Sequence, residues 1–150
     1  MRARSLLGLL LLSLVICACT SRTVLESQET LRASGVARIY FIRPDAIIGS
    51  GQTVRIVVND KEVGSLGIGT YLHIDRPAGQ YQIVVDHPLD FGKTELNLNV
   101  ASEKDYYLNI FPGSSNVAIV SSNVASVSNR LGIAAVSETE AKALMRDMND

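Results

Sequence analysis

The chain has 150 residues, with 14 Lys and Arg against 15 Asp and Glu, and its formal net charge is −1. This length suits one domain with its own core, and the near-neutral charge, without a basic stripe, argues against a nucleic-acid partner. Both cysteines, Cys17 and Cys19, lie near the N-terminus. The rest of the chain must therefore fold without a disulfide, by burial of its core alone.

The first residues have the pattern of an export signal. Arg2 and Arg4 precede an apolar run, Leu6–Ile16, in which Ser13 carries the only hydroxyl, and compact residues follow at 17–19. A positive start, a short apolar stretch and a small-residue end are typical of a secretory signal peptide. The run is shorter than the ~20 apolar residues that span a bilayer. A short N-terminal membrane anchor or a buried strand is the alternative.

The end of this segment resembles the lipobox of bacterial lipoproteins, and the residues that carry the resemblance are Ile16-Cys17-Ala18-Cys19. It implies a lipoprotein signal peptide over 1–18, transfer of a diacylglyceryl group to the Cys19 thiol, cleavage after Ala18 and acylation of the new amino group. The lipid bilayer would then be a permanent partner, because several acyl chains together give a lasting anchor. Thr20, where an aspartate would signal retention, implies the outer membrane, with the protein facing the periplasm.

A polar segment over 19–34 follows the lipobox. Its large apolar residues, Val24, Leu25 and Leu31, are scattered rather than periodic. About 15 such residues in a flexible coil span on the order of 20 Å. The segment is therefore predicted to be a tether that begins at the lipidated cysteine.

From Gly35 onward, apolar and polar residues alternate with a period of two. The alternation predicts strands over 37–42, 53–58, 62–66, 71–75, 80–86, 95–100 and 106–110. Turn residues separate them, among them Asn59-Asp60, which tolerate positive φ and predict a tight hairpin. Short strands at this spacing predict a mainly β protein, with an antiparallel β-sandwich of the immunoglobulin-like or transthyretin-like kind over 35–112.

The tail, 113–150, is predicted to contain an irregular or edge-strand segment and a helix. Asn116–Val120 and Asn123–Val127 are either two more edge strands or part of a loop. Ser137-Glu138-Thr139-Glu140 has the capping-box pattern, which predicts a short C-terminal α-helix over Glu138–Asp147.

The strand pattern resembles a family of small bacterial lipoproteins whose single domain of unknown function is related to PEGA-type and transthyretin-like sandwiches. The resemblance rests on Ala37–Pro44, on the hairpin Ile56–Gly64, and on Gly69-Thr70-Tyr71 with Pro77–Tyr81. It implies a β-sandwich. It implies no catalytic residues, because the function of that family is unknown.

The residues that could support catalysis or bind a metal are few. The two histidines are His73 and His87, and with Asp75, Asp86 or Asp90 they could ligate a metal. A metal site draws on more such ligands than these positions offer, so we predict no metal and no cofactor. The sequence has no Gly-x-Ser-x-Gly motif, and no cysteine would remain as a free thiol after processing. We therefore predict that the protein is not an enzyme.

A possible exposed binding face is predicted on the strand faces opposite the core. Its residues are Tyr71, His73, Tyr107 and Phe111, with Arg43 at a strand end. Exposed aromatic side chains stack on sugars or anchor a protein partner. The preferred alternative is that they pair across strands and stabilise the sheet.

These observations favour a non-catalytic protein-interaction module that is anchored in the bacterial cell envelope and binds another envelope protein. The alternative is a carbohydrate-binding or peptidoglycan-binding module that uses the aromatic residues. A third hypothesis, a metal-binding or enzymatic domain, depends on His73 and His87.

Overall fold

The computed structural model describes residues 22–45, 52–87, 93–112 and 131–148. The predicted signal peptide 1–18, Cys19 and the two segments considered as edge strands, Asn116–Val120 and Asn123–Val127, lie outside these residues. The described part forms nine strands and one helix. They are β1 (Arg22–Val24), β2 (Ala37–Arg43), β3 (Val54–Val58), β4 (Lys61–Leu66), β5 (Thr70–Arg76), β6 (Gly79–Asp86), β7 (Lys93–Val100), β8 (Asp105–Pro112), β9 (Leu131–Val136) and α1 (Glu138–Met145).

The strands form two sheets. Sheet A has the order β1-β4-β3-β6-β7, and sheet B has the order β5-β2-β8-β9. Neighbouring strands run antiparallel, except that β2 and β8 pair in parallel. The predicted mainly β sandwich with a short C-terminal helix is confirmed. The parallel pair was not predicted, because it joins strands that are far apart in the sequence.

The core lies between the two sheets and follows the predicted alternation. From β2, Ile39 and Phe41 are fully buried, and Ile56 of β3 and Leu108 of β8 are buried in the same cluster. Each such side chain stabilises the fold by about 1.5–3 kcal/mol through the apolar surface that it removes from water. This burial holds together a domain in which no disulfide is predicted.

The predicted hairpin at Asn59-Asp60 is confirmed. These two residues have φ of 46° and 63°, and they join β3 to β4 with Val58 opposite Lys61. Positive φ at both central residues is the geometry of the two-residue turn whose twist matches that of the flanking strands. The lysine that follows Asp60 therefore begins β4 and does not form part of the turn.

The strand pairings give the sandwich two distinct ends. At one end, here called the Arg22 end, β1 begins at Arg22 opposite the last residue of β4, Leu66, and β7 begins opposite the last residue of β6. Strands β2 and β8 also end there, beside the first residues of β5 and β9. The opposite end, the hairpin end, carries the turns at 59–60, 77–78 and 101–104.

The structure departs from the predicted tether over 19–34. Residues Arg22–Val24 form β1 and pair with β4 in sheet A, and residues 25–34 continue against the domain. The close approach of β1 depends on Gly64, because a Cβ at that position would lie 2.5 Å from the backbone oxygen of Thr23 and 2.9 Å from a methyl group of Leu72. Any free tether is therefore confined to the residues before Arg22.

The tail is more ordered than predicted where it is described. Leu131–Val136, placed in the irregular segment by the sequence, forms β9 at the edge of sheet B. Ser137 is confirmed as the N-cap of the predicted helix, because its hydroxyl accepts a hydrogen bond from the Glu140 backbone N–H at 3.2 Å. Helix α1 then packs against β8 and β2.

We expect Gly64→Ala to destabilise the domain by about 1–3 kcal/mol, since the added methyl group must displace β1 or Leu72. Gly79→Ala is the matched control, because its Cβ would meet only the Tyr81 ring at 3.7 Å, an ordinary contact. Urea unfolding of both variants tests the expectation. Equal stability of the two variants would contradict it.

Candidate functional site

The predicted binding residues lie in two places. Tyr71, His73, Tyr107 and Phe111 belong to β5 and β8 of sheet B, and their alternation with the core residues places them on the outer face of that sheet. Arg43 ends β2 and has the same parity as the core residue Phe41. Arg43 therefore points between the sheets at the Arg22 end and does not share the outer face.

The prediction that these side chains form an exposed face is wrong for three of the five. His73 and Tyr107 are each 8% exposed, and Arg43 is 5% exposed. Tyr71 and Phe111 are half-buried. The physical reason is that two segments of the same chain cover the outer face of sheet B: helix α1 over one part, and residues 25–32, here called the strap, over the other.

Helix α1 covers a second apolar cluster. Ala141 is fully buried against Ile42 and Tyr107, and partly buried side chains surround this group. The partly buried members are Tyr40, Tyr71, Val136, Leu144, Met145 and Met148. Burial raises the pKa of the Tyr107 hydroxyl to about 12. Tyr107 is therefore a neutral packing residue at physiological pH.

Aromatic rings form a row across three neighbouring strands. Tyr40 of β2 lies opposite His73 and also opposite Tyr107. Its ring stacks on Tyr107 with centroids 5.0 Å apart and planes 15° apart, and it meets the His73 ring at 5.5 Å and 50°. Such cross-strand pairs stabilise a sheet. The cross-strand alternative thus describes His73 and Tyr107 correctly.

The strap covers the edge strand β5, and one of its side chains forms the hydrogen bonds that a neighbouring strand would otherwise form with the backbone of β5. The Gln28 amide donates to the backbone oxygen of His73 at 2.7 Å and accepts from its backbone N–H at 3.0 Å. One side chain thereby satisfies both outward backbone groups of an edge residue, which would otherwise invite another strand to pair. The His73 Nε2 lies 3.2 Å from the Glu29 carbonyl oxygen, and burial lowers the pKa of His73. A neutral imidazole that donates from Nε2 fits this contact.

Two ion pairs fix the strap and the adjoining strands. Arg38 donates to both carboxylate oxygens of Asp75, at 2.7 and 2.9 Å, and also to the Thr30 carbonyl oxygen at 2.9 Å. Arg76 donates to both oxygens of Glu26 at 2.8 Å. The hydrogen bonds from Arg38 and Arg76 lower the pKa of Asp75 and of Glu26 respectively. These charged groups already bind one another, so the structure gives them a stabilising role.

Arg43 ties the sheets together at the Arg22 end. It donates to the carbonyl oxygens of Gln52 at 2.7 Å and Leu66 at 2.8 Å, and burial lowers its pKa. Phe111, the remaining predicted residue, lies over Gly132 of β9, where a Cβ would meet its ring at 2.4 Å. Its ring therefore fills the space above a glycine in the neighbouring strand.

The structure does not bring the two histidines into one site. His73 lies on β5 of sheet B, whereas His87 follows β6 of sheet A and is also buried. Asp86 forms an ion pair with Arg55, and Asp90 lies outside the described residues. Among residues 22–45, 52–87, 93–112 and 131–148, no three His, Cys, Asp or Glu side chains are grouped so that they could hold a metal ion. The described helix is too short to cross a membrane.

Sequence reasoning missed Gln28, Arg22 and Arg38 as organising residues. Gln28 and Arg22 lie in a polar segment without periodicity, and their partners are 45 and 49 residues away. The one available signal was Arg38, which faces the same side of sheet B as Asp75 and Tyr40 in a strand that is otherwise apolar. An arginine in such a strand requires a carboxylate or carbonyl partner, because burial of an unpaired charge is costly.

We expect Asp75→Asn to lower the free energy of unfolding by about 1.5–3 kcal/mol at neutral pH, since Arg38 loses a charged acceptor. The side chain of Arg38 is 5% exposed and that of Asp75 is 27% exposed, so water replaces little of this interaction. Lys142→Met is the control, because it breaks an ion pair with Glu138 that is exposed to water and therefore should change the stability far less.

The effect of Asp75→Asn also depends on pH. The folded-state pKa of Asp75 lies below its ordinary value, so the ion pair stabilises the fold above the unfolded-state pKa of about 4. The difference between wild type and variant should therefore shrink below pH ~4 and vanish once the pH passes the folded-state pKa. Chemical denaturation across this range measures it, and a difference that is independent of pH would contradict the assignment.

Comparison with known proteins identifies the family of the chain. No curated protein and no solved structure matches the chain. Residues 33–124, more than half of the chain, match the family described as protein of unknown function DUF2846. The match agrees with the resemblance to a domain of unknown function, while the likeness to PEGA-type lipoproteins stays a prediction. The chain belongs to the DUF2846 family.

Proposed function

We propose that the protein is a lipid-anchored component of the bacterial cell envelope, with a non-catalytic β-sandwich that binds another envelope protein. The anchor is Cys19, and the outer membrane facing the periplasm is the proposed location. The function of the DUF2846 family is unknown, so the proposal depends on the residues of this chain.

The observation that carries the proposal is the distance in sequence between the anchor and the fold. Cys19 ends the lipobox-like sequence Ile16-Cys17-Ala18-Cys19, and β1 begins at Arg22, three residues later. A domain whose first strand begins so close to a lipidated residue lies next to the bilayer. The position of β1 thus supports a function at the membrane surface.

A role in binding, and not in catalysis, is supported by how the ionisable side chains of sheet B that lie next to the strap are used. Arg38 binds Asp75, Arg76 binds Glu26, and the His73 ring contacts the Glu29 carbonyl. A general acid or base must instead be within reach of a substrate proton. Because these groups hold the strap in place, they contribute to the shape of the domain.

Carbohydrate or peptidoglycan binding has less support than protein binding. That hypothesis requires open aromatic faces, but the ring of Tyr107 is stacked on Tyr40 beneath α1, and the ring of Phe111 lies over Gly132. We therefore do not extend the proposal to glycans.

We expect the membrane-extracted protein to have an intact mass that begins at Cys19 and includes the attached lipid. Cys19→Ser should remove this lipid and release the protein from the membrane fraction, because the thiol is the acceptor of the diacylglyceryl group. Cys17→Ser is the control and should leave the mature mass unchanged, since residue 17 belongs to the segment that is removed. An unlipidated wild-type mass would contradict the anchor.

Photo-crosslinking in intact cells tests the proposed protein partner. A photoreactive residue is placed in turn at exposed positions on different faces, Ala78, Glu95 and Ala143. One discrete protein adduct, formed at some of these positions and lost in Cys19→Ser, is expected because only one face of an anchored domain meets its partner. Absence of an adduct at every position, or equal adducts at all of them, would count against a specific partner.

A further inference from the structure

We infer that the Arg22 end of the sandwich faces the bilayer at close range, whereas the hairpin end points away from it. The inference rests on the proposed lipidation of Cys19 and adds an orientation to it. The lipid surface is thus assigned to one end of the domain, and a protein partner must approach from the hairpin end or from the sides.

The first step is that the chain is firmly attached to the fold from Arg22 onward. Arg22 lies opposite Leu66, and Val24 lies opposite Gly64, in the ladder between β1 and β4. The Arg22 guanidinium also donates to the Tyr71 backbone oxygen at 2.8 Å. Because Leu66 belongs to sheet A and Tyr71 to sheet B, the point where the chain enters the domain is bonded to both sheets.

The second step is a comparison of lengths. Two residues, Thr20 and Ser21, separate Cys19 from Arg22, and the three steps from one Cα to the next span at most about 11 Å even when fully extended. Strand β6, which has eight residues, runs between the two ends and is about 26 Å long at ~3.3 Å per residue. The lipid anchor on Cys19 therefore holds the Arg22 end within about 11 Å of the membrane surface, whereas the hairpin end lies about 26 Å farther along the strands and is not held there by the anchor.

The third step is that the Arg22 end is built as one unit. Arg43 of β2 in sheet B donates to the Leu66 carbonyl oxygen in sheet A at 2.8 Å. Thr94 of β7 in sheet A donates to the Leu131 carbonyl oxygen in sheet B at 2.9 Å. Together with Arg22, these bonds join the sheets at three places along the same end, so the two sheets approach the membrane together.

Charge supports the same orientation. Near the Arg22 end, the exposed described residues Lys93 and Arg55 are matched in number by Asp45 and Glu95. The hairpin end carries Lys61, Lys104 and Lys142 together with a larger exposed group of acidic residues. These are Asp60, Glu62, Glu103, Asp105, Glu138 and Glu140. Since anionic head groups repel carboxylates, the hairpin end is the less favourable one to place against lipid.

The test compares two labels in the acylated full-length protein. Lys93→Cys places a fluorophore at the Arg22 end, and Ala78→Cys places one at the hairpin end; both positions are exposed. The proteins are reconstituted into vesicles of phosphatidylethanolamine and phosphatidylglycerol that contain a nitroxide-head-group lipid as quencher. We expect several-fold stronger quenching at position 93 than at position 78.

The outcomes separate the orientation from the anchor. Equal quenching at both positions, or stronger quenching at 78, in protein that carries lipid and floats with the vesicles would overturn the orientation and leave the anchor intact. Protein without lipid that does not float would overturn the proposed function itself.

A third variant tests the cause of the orientation. A flexible Gly-Ser insertion of about 12 residues between Ser21 and Arg22 adds on the order of 20 Å of reach without altering β1. Flotation should be unchanged, while the difference between the two labels should largely disappear. If the difference persists, the short link does not set the orientation and this inference is wrong.

Discussion

The structure depends on one constraint, which is that the central strand β2 is apolar on both faces. Ile39 and Phe41 fill the core between the sheets, while Tyr40 and Ile42 face outward. Because β2 is paired on both sides, by β5 and β8, its outward side chains cannot be hidden at an edge. A second layer must exclude water from them, since exposed contiguous apolar surface is unfavourable.

Two segments of very different character supply that layer. Helix α1 supplies apolar side chains, with Ala141 at the centre of its contact. The strap supplies polar groups, so each buried donor or acceptor beneath it needs a partner. Gln28 meets the backbone of His73, and Thr30 and Asp75 meet Arg38. The covering of β2 thus uses the polar and aromatic residues that would otherwise be candidates for an open binding face.

Much of the fold could be predicted from local pattern, whereas the covering layer could not. Alternation within 37–110, the Asn59-Asp60 turn and the Ser137 cap each involve residues close in sequence, and all appear in the structure. The strap bonds join residues about 45 apart through polar side chains, which leave no hydrophobic period. Leu131–Val136 lacks polar alternation because β9 packs on both Phe111 and the core. The alternation therefore assigned the predicted aromatic binding residues to the correct face of sheet B. It could not predict their burial, because the strap and α1, which cover that face, are distant from it in the sequence.

The family match also separates the sandwich strands from the segments that cover the outer face of sheet B. It covers residues 33–124, which contain strands β2 to β8, while β1, the strap, β9 and α1 lie outside it. The outward face of β2 is therefore inside the matched region, and the strap and α1 that cover it are outside. The strap follows directly on β1, and the pairing of β1 with β4 fixes where the chain enters the domain. The fold therefore begins within three residues of Cys19, so the strand that leads into the cover of β2 also places the sandwich next to the proposed anchor.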